Sequence, residues 1–285
     1  MRIVEYAYFG SIVKRAALAC SIMLASGVHA TAFDKQRGAE GPAPAQERFG
    51  MTRARPESPR ANIMMRLRFG LQAYKKGHKD EAFEAYSEAA EHGHPGARWK
   101  LAHMYAHGEG VAENHYEAFK LFERIVREGA APGTNDGAFV ASALVSLAGY
   151  FQTGIPGTTV DRDPLRARDL YFQAATSFGE PTAQFEIGRM HFGDGTNPDG
   201  QRQAAKWFNQ AAKKGHAGAK AMLGHIHFQH GRHVSGLALL TEAIKTAEPD
   251  DVVWIRPLQE EAFALADEAQ RRTAIARAQE NVGAR

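Results

Sequence analysis

The sequence predicts an all-α solenoid of about five helical hairpins closed by a C-terminal capping helix. Three observations lead there. A unit of helix, Gly-rich turn and Ala-rich helix recurs as Ala97–Gly129 and Ala183–Gly215, with a looser copy at Ala143–Gly179. The links between units repeat as Gly93-His-Pro-Gly-Ala97, Gly179-Glu-Pro-Thr-Ala183 and Gly215-His-Ala-Gly-Ala219. Gly93 and Gly129 are 36 apart, as are Gly179 and Gly215. A fixed period of this size marks hairpins too small to bury an apolar face alone, so neighbours must stack. Solenoids usually bind macromolecules, which sets the expected class of function.

The first 32 residues read as a secretory signal peptide. Arg2, Lys14 and Arg15 supply the positive end. Ala16 to Ala25 is apolar and too short to span a bilayer, which takes about 20 residues. Val28-His-Ala30 and Ala30-Thr-Ala32 are both small-residue cleavage sites, and the second is preferred, leaving Phe33 first. A retained anchor helix and lipidation at Cys20 are the alternatives. Cys20 is the only cysteine, so the processed chain has no disulfide. The formal net charge of +3 also misleads. Residues 1–32 hold three of the 35 basic and one of the 32 acidic residues, leaving a net of +1. That balance offers no basic stripe for nucleic acid.

Residues 33–61 are rich in Ala, Gly, Pro, Arg and Glu, and Gly41-Pro-Ala-Pro and Arg55-Pro-Glu-Ser-Pro59 break helices. A flexible leader is expected, with a partner-binding arm as the alternative. The repeat solenoid is placed at 62–285. Hairpin one runs from about Ile63 to Gly93, turning at Gly77-His-Lys-Asp80. Aligned second helices place Ala82, Ala118, Ala167, Ala204 and Gly236 at one position, and Tyr86, Phe122, Tyr171, Phe208 and Leu240 four residues on. Positions at i, i+3 and i+4 make a buried stripe, so these rings are core. First helices open at Ala97, Ala143, Ala183 and Ala219, and eight residues on stand Tyr105, Phe151, His191 and His227. The stretch between Gly129 and Ala143 is read as a longer link, and Gly154 to Asp163 as a longer turn in hairpin three. Pro249 to Pro257 interrupts, and Pro257 is placed in the first turn of one last helix running to about Gln279.

Leu101-Ala-His-Met-Tyr-Ala-His-Gly-Glu-Gly-Val111 and Ala204-Ala-Lys-Trp-Phe-Asn-Gln-Ala-Ala-Lys-Lys-Gly215 resemble the two helices of Sel1-like repeats, relatives of the tetratricopeptide repeat. A longer resemblance is to the ExoR family, exported negative regulators of exopolysaccharide production in rhizobia and related alphaproteobacteria. Phe69-Gly-Leu-Gln-Ala-Tyr-Lys-Lys-Gly77, Gly154-Ile-Pro-Gly157 and Glu260-Glu-Ala-Phe-Ala-Leu-Ala266 carry it, the last two lying outside any repeat consensus. The resemblance implies a periplasmic protein that binds the sensor domain of a membrane histidine kinase and holds it off. It also implies release of that brake by a periplasmic protease, notably in acid. No membrane insertion is expected once the signal is removed.

No serine elbow, zinc-protease helix or P-loop is present, and no enzyme activity or cofactor is expected. Gly108-Glu-Gly110 and Gly193-Asp-Gly195 lack the Lys-Ser/Thr of a phosphate loop and read as helix ends. His103 and His107 are four apart, and His225, His227, His230 and His233 cluster, but neither set has a matching third ligand, so no metal is assigned. Two roles remain for histidine. Residues six into each first helix are His103, Gly149, Arg189 and His225, expected to face the inner curve. Contacts with a partner are therefore expected at His103, Arg189 and His225, with Lys100 and His107 beside them. His191 and His227, if enclosed between hairpins, should be neutral, with stability lost as pH falls below about 6.5. A scaffold for envelope or peptidoglycan assembly proteins is the alternative function. A cell-wall hydrolase would need a converging acid, base or nucleophile set, which the sequence does not offer.

Overall fold

Proline and glycine set the boundaries of the elements. A computed structural model describes residues 59–193 and 195–283. The signal peptide expected at 1–32 and most of the leader expected at 33–61 lie outside the described residues. Among the described residues the chain forms twelve helices and no strand. They are α1 Pro59–Lys75, α2 Lys79–Glu91, α3 Pro95–His107, α4 His115–Glu128, α5 Asn135–Thr153, α6 Pro164–Ser177, α7 Pro181–Phe192, α8 Pro198–Lys213, α9 Ala217–Gln229, α10 His233–Thr246, α11 Pro249–Leu265 and α12 Glu268–Gly283. Prolines open α3, α6, α7, α8 and α11, where the missing N–H is one the helix could not use. Helices pair as α1/α2, α3/α4, α5/α6, α7/α8 and α9/α10, and each pair packs on the next.

The repeat register holds at the level of single atoms. Ala82, Ala118, Ala167 and Ala204 are fully buried, as are Phe122, Tyr171, Phe208 and Leu240 one turn later. The alanine lets two helices approach, and the large side chain fills the space above it. Burying Phe122 or Phe208 contributes about 1.5–3 kcal/mol each. The first helices of hairpins two to five also share a fully buried alanine: Ala97, Ala143, Ala183 and Ala219.

The links repeat for a reason visible in their hydrogen bonds. Gly93, Gly179 and Gly215 have φ of +88°, +64° and +91°, which a side chain would resist. The next residue caps the following helix. His94 Nδ1 accepts from the Ala97 N–H at 3.3 Å, Glu180 Oε2 from Ala183 at 2.6 Å and His216 Nδ1 from Ala219 at 3.1 Å. The residue after each buried alanine then ties three helices together. Arg98 Nε donates to the Ala90 carbonyl at 3.2 Å and its guanidinium pairs with Glu128. Gln184 Nε2 donates to the Ala175 carbonyl at 3.4 Å and to Gln210 Oε1 at 3.3 Å. Lys220 pairs with Glu242 at 3.3 Å, both buried, and Asn281 of α12 donates to the same carboxylate at 2.7 Å. In hairpin three the place belongs to Leu144, which is fully buried.

Three boundaries differ from the sequence reading. Helix α1 begins at Pro59, so the end of the 33–61 leader is helical. The stretch before Ala143 is mostly helix, because Thr134 Oγ1 caps α5 through the Gly137 N–H at 3.0 Å and starts it eight residues early. The C-terminal cap is two helices, and Pro257 sits inside α11. Pro257 and Val253, whose carbonyl loses its partner, are both exposed, so water can take that carbonyl. The break comes at Ala266–Asp267, where Asp267 Oδ1 accepts from the Gln270 N–H and Gln270 Oε1 from the Asp267 N–H. Helix α12 then packs on α10, and α11 on α9 and α10. The longer turn of hairpin three tucks Ile155 and Val160 inward, with the Ile155 N–H donating to the Val160 carbonyl at 2.8 Å.

Candidate interaction surface

The residues expected on the inner curve divide into buried and accessible groups. His103 is 0% exposed. Its ring lies 4.4 Å from Trp99, 5.2 Å from Phe122 and 6.1 Å from His107, centroid to centroid. Neither ring nitrogen has a hydrogen-bond partner among the described residues. Burial holds this imidazole well below the ordinary histidine range, reinforced by His107 and Lys100. His103 therefore cannot be a surface contact: the rings of α3 and α4 close over it. Gly149, its counterpart in hairpin three, is buried as well.

Lys100 is also buried, within a polar cluster where hairpins one and two meet. Tyr74 Oη donates to both Glu109 oxygens at 2.7 and 2.6 Å, Lys79 Nζ reaches Glu109 at 3.4 Å and Lys100 Nζ at 3.8 Å. The two ammonium groups lie 3.0 and 3.4 Å from the Tyr74 ring centroid. Burial lowers Lys100 to about 8 against the pull of Glu109, with Lys79 adding to the depression. Burial alone would raise Glu109, but the Tyr74 hydrogen bond and the two lysines hold it below the usual carboxylate range. Gly110 makes this seam possible: a Cβ there would fall on the Lys79 backbone. The Gly108-Glu-Gly110 turn is thus both a helix end and the joint between two hairpins.

His107, Arg189 and His225 keep accessible surface. Arg189 pairs with buried Glu186 at 3.2 Å, and Gln229 Nε2 lies 2.8 Å from His225 Nε2. Of the two acid-switch candidates, His191 is exposed and not enclosed between hairpins. His227 is half-buried, with Nδ1 3.0 Å from Ser235 Oγ. Burial lowers its pKa, and Arg232, His230 and Arg277 lower it further. The enclosed histidine that sequence spacing pointed away from is His103. The signal that could have found it is the aromatic pair Trp99 and Phe122 around it. Among the described residues no three His, Cys, Asp or Glu side chains converge as metal ligands. Among those residues no helix is long and apolar enough to cross a membrane.

Comparison with known proteins fits this geometry. The Sel1 repeat family model matches residues 95–129, 141–177 and 181–216, the second to fourth hairpins. A solved Sel1 repeat protein from Oxalobacter formigenes shares the fold, with a TM-score of 0.56 and 24% identity over 79% of this chain and 91% of that one. The exopolysaccharide production negative regulator of Rhizobium meliloti (strain 1021) is 51% identical over 75% of this chain and 80% of its own length. That of Rhizobium leguminosarum bv. viciae is 50% identical over 73% of this chain and 78% of its own. At this identity and coverage, the chain belongs to the family of Sel1-repeat exopolysaccharide production negative regulators.

Proposed function

We propose that this protein is a periplasmic brake on a membrane histidine kinase: it binds the kinase sensor domain, represses exopolysaccharide production and is removed by proteolysis in acid. The observation that carries the reading is half-identity to two negative regulators of exopolysaccharide production over about three quarters of the chain. A stack of hairpins supports it, because such a rod offers long adhesive sides and acts by binding rather than by chemistry. Export would use residues 1–32, with cleavage after Ala32. His107, Arg189 and His225 are the accessible members of the first-helix contact set, and Lys100 and His103 support them from beneath. Acid release would begin at hairpin two, where a neutral imidazole is enclosed without a partner.

Three measurements test this reading. A deletion strain should over-produce surface polysaccharide with the kinase constitutively active, and the purified processed chain should capture the kinase sensor domain. Defects confined to septation or cell shape would point instead to a scaffold for envelope assembly. Periplasmic extract should cleave the chain faster at pH 5 than at pH 7; equal rates would remove the acid-linked part.

A further inference from the structure

The side of the rod formed by second helices carries the same groove twice. One lies between α4 and α6 with α5 as its floor, about 260 Å³, lined by Phe119, Leu147, Phe151 and Leu170 with Glu123, Arg127 and Arg166 at its edges. The other lies between α8 and α10 with α9 as its floor, about 340 Å³, lined by Leu223, His227, Ala205 and Asn209 with Lys206 and Arg232. The repeat register makes them one site in two copies. Phe119 and Ala205 both follow the buried alanine of a second helix, Glu123 and Asn209 stand five beyond it, and Leu147 and Leu223 stand four beyond the buried alanines Ala143 and Ala219 of the first helices. Between them the same register places Phe172, 53% exposed, with its ring edge-on to Trp207 at 6.3 Å. An apolar strip of aromatic and aliphatic side chains therefore runs from one groove to the other.

The charges around that strip are one-sided. Arg127, Arg166, Lys206 and Arg232 line the grooves against the single carboxylate of Glu123. None of these four cations forms an ion pair among the described residues, whereas Arg98, Arg124, Arg168, Arg189 and Arg202 each do. Arg166 lies over the Phe151 ring at 4.2 Å, its charge held at the groove mouth. Unpaired cations flanking apolar hollows at a fixed spacing suit a partner segment that alternates acidic and apolar side chains. The chain's own leader does not supply one: residues 33–58 carry five basic and four acidic residues.

We infer that the two grooves and the Phe172–Trp207 strip between them form the docking site for an acidic, apolar-anchored segment of the partner. This rests on the proposed binding role and places the stronger contact on the second helices, beside the first-helix set. The test compares the processed chain with R127E/R166E/K206E/R232E and with H107Q/R189Q/H225Q. Arg166 lies in the first turn of α6 and Arg232 immediately precedes α10, so the negative charge of Glu suits both helix N-termini. Thermal melts check folding, and the pairs R127E/R166E and K206E/R232E serve if the quadruple variant does not fold. Affinity for the purified kinase sensor domain should fall at least tenfold in the quadruple variant and by a smaller factor in the first-helix variant. The reverse order overturns the inference and leaves the brake intact. If the sensor domain binds no form of the chain, the proposed function fails and a second arm decides the grooves. A synthetic peptide alternating Glu with Leu and Phe, titrated into isotope-labelled chain, should shift the amides of Leu147, Leu170 and Leu223, and its Lys counterpart should not. Shifts with both peptides, or with neither, end the inference. Self-association that the quadruple change abolishes would show a second copy as the occupant and overturn the choice made here.

Discussion

The joints in front of hairpins two and four have one geometry and opposite responses to acid. Each has a left-handed glycine, a side-chain cap, a proline in the first turn and a fully buried alanine: Gly93-His94-Pro95 before Ala97, and Gly179-Glu180-Pro181 before Ala183. The capping group differs. Burial lowers His94, with Asp136 opposing and Arg98 assisting. A histidine whose folded pKa is depressed contributes stability above its unfolded pKa, about 6.5, and loses it as pH falls through that region. Burial raises the Glu180 carboxyl from 4.5 to about 7, against the N–H of Ala183. A carboxyl raised in this way binds its proton more tightly when folded. Between about 7 and 4.5 its joint therefore gains stability as pH falls. Repeat geometry fixes where a cap must stand, and the residue chosen sets the sign of its pH dependence.

The largest expected effect separates the joints by their turns. Gly110 has φ +72°, and a Cβ there would fall on the backbone of Lys79 at the start of α2. Gly195 has φ +79°, but its Cβ would meet only the Phe192 ring, 2.8 Å away. Gly110→Ala should cost about 3 kcal/mol or more, adding overlap to left-handed strain. Gly195→Ala should cost about 1–2 kcal/mol, since a ring can turn aside. Urea titrations followed by hydrogen exchange should show hairpin one opening first in Gly110→Ala. Equal costs would mean that the Gly108-Glu-Gly110 turn is no joint.

His103 should dominate the acid response of hairpin two. Among the described residues His107 and Lys100 bring charge to it, while Trp99 and Phe122 pack against its ring. The sign is that of His94. Stability should fall by about 1.4 kcal/mol for each pH unit below 6.5, down to the folded pKa. His103→Phe keeps a ring in the space and removes the proton. The difference in melting temperature between pH 7.5 and pH 5 should shrink in this variant; an unchanged difference assigns acid lability elsewhere. Glu180→Gln tests the other joint with the opposite expectation. The amide still caps Ala183 but no longer takes up a proton. Hairpin four should then lose its gain on going from pH 7.5 to pH 5, seen as faster local hydrogen exchange at pH 5 relative to the parent.

The comparison also explains how much the sequence revealed. Gly93 and Gly179, with the alanines behind them, are legible because only backbone sterics and helix spacing decide them. Tyr86, Phe122, Tyr171 and Phe208 follow from the same period. The start of α5 was not legible, since Thr134 lies beyond a Pro-Gly pair that reads as loop. Pro257 misled because its effect depends on exposure, which no local pattern states. The burial of His103 is hidden from the sequence for the same reason. Six residues into a first helix is an outward position in an ideal hairpin, and here a tryptophan one turn earlier and a phenylalanine from α4 close over it. The cations of the second-helix grooves are not legible, because being unpaired is a property of neighbours distant in sequence. Composition and period thus gave the rod, and tertiary contacts decide which of its side chains are available.

The smallest effect isolates the cap itself. His94 Nδ1 accepts the Ala97 N–H only while that nitrogen is unprotonated, so acid removes a hydrogen bond as well as adding a charge near Arg98. His94→Asn restores an acceptor that does not titrate, and asparagine is among the best N-caps. Above pH 7 the variant should match the parent within about 0.5 kcal/mol, one acceptor replacing another. At pH 5 it should be more stable by about 0.5–1 kcal/mol, the usual worth of a cap. Combined with His103→Phe the two gains should add, because His94 caps the start of α3 whereas His103 lies about 13 Å further along it, against Trp99 and Phe122. A shortfall beyond about 0.5 kcal/mol would couple the cap to the enclosed ring and make hairpin two answer acid as one unit.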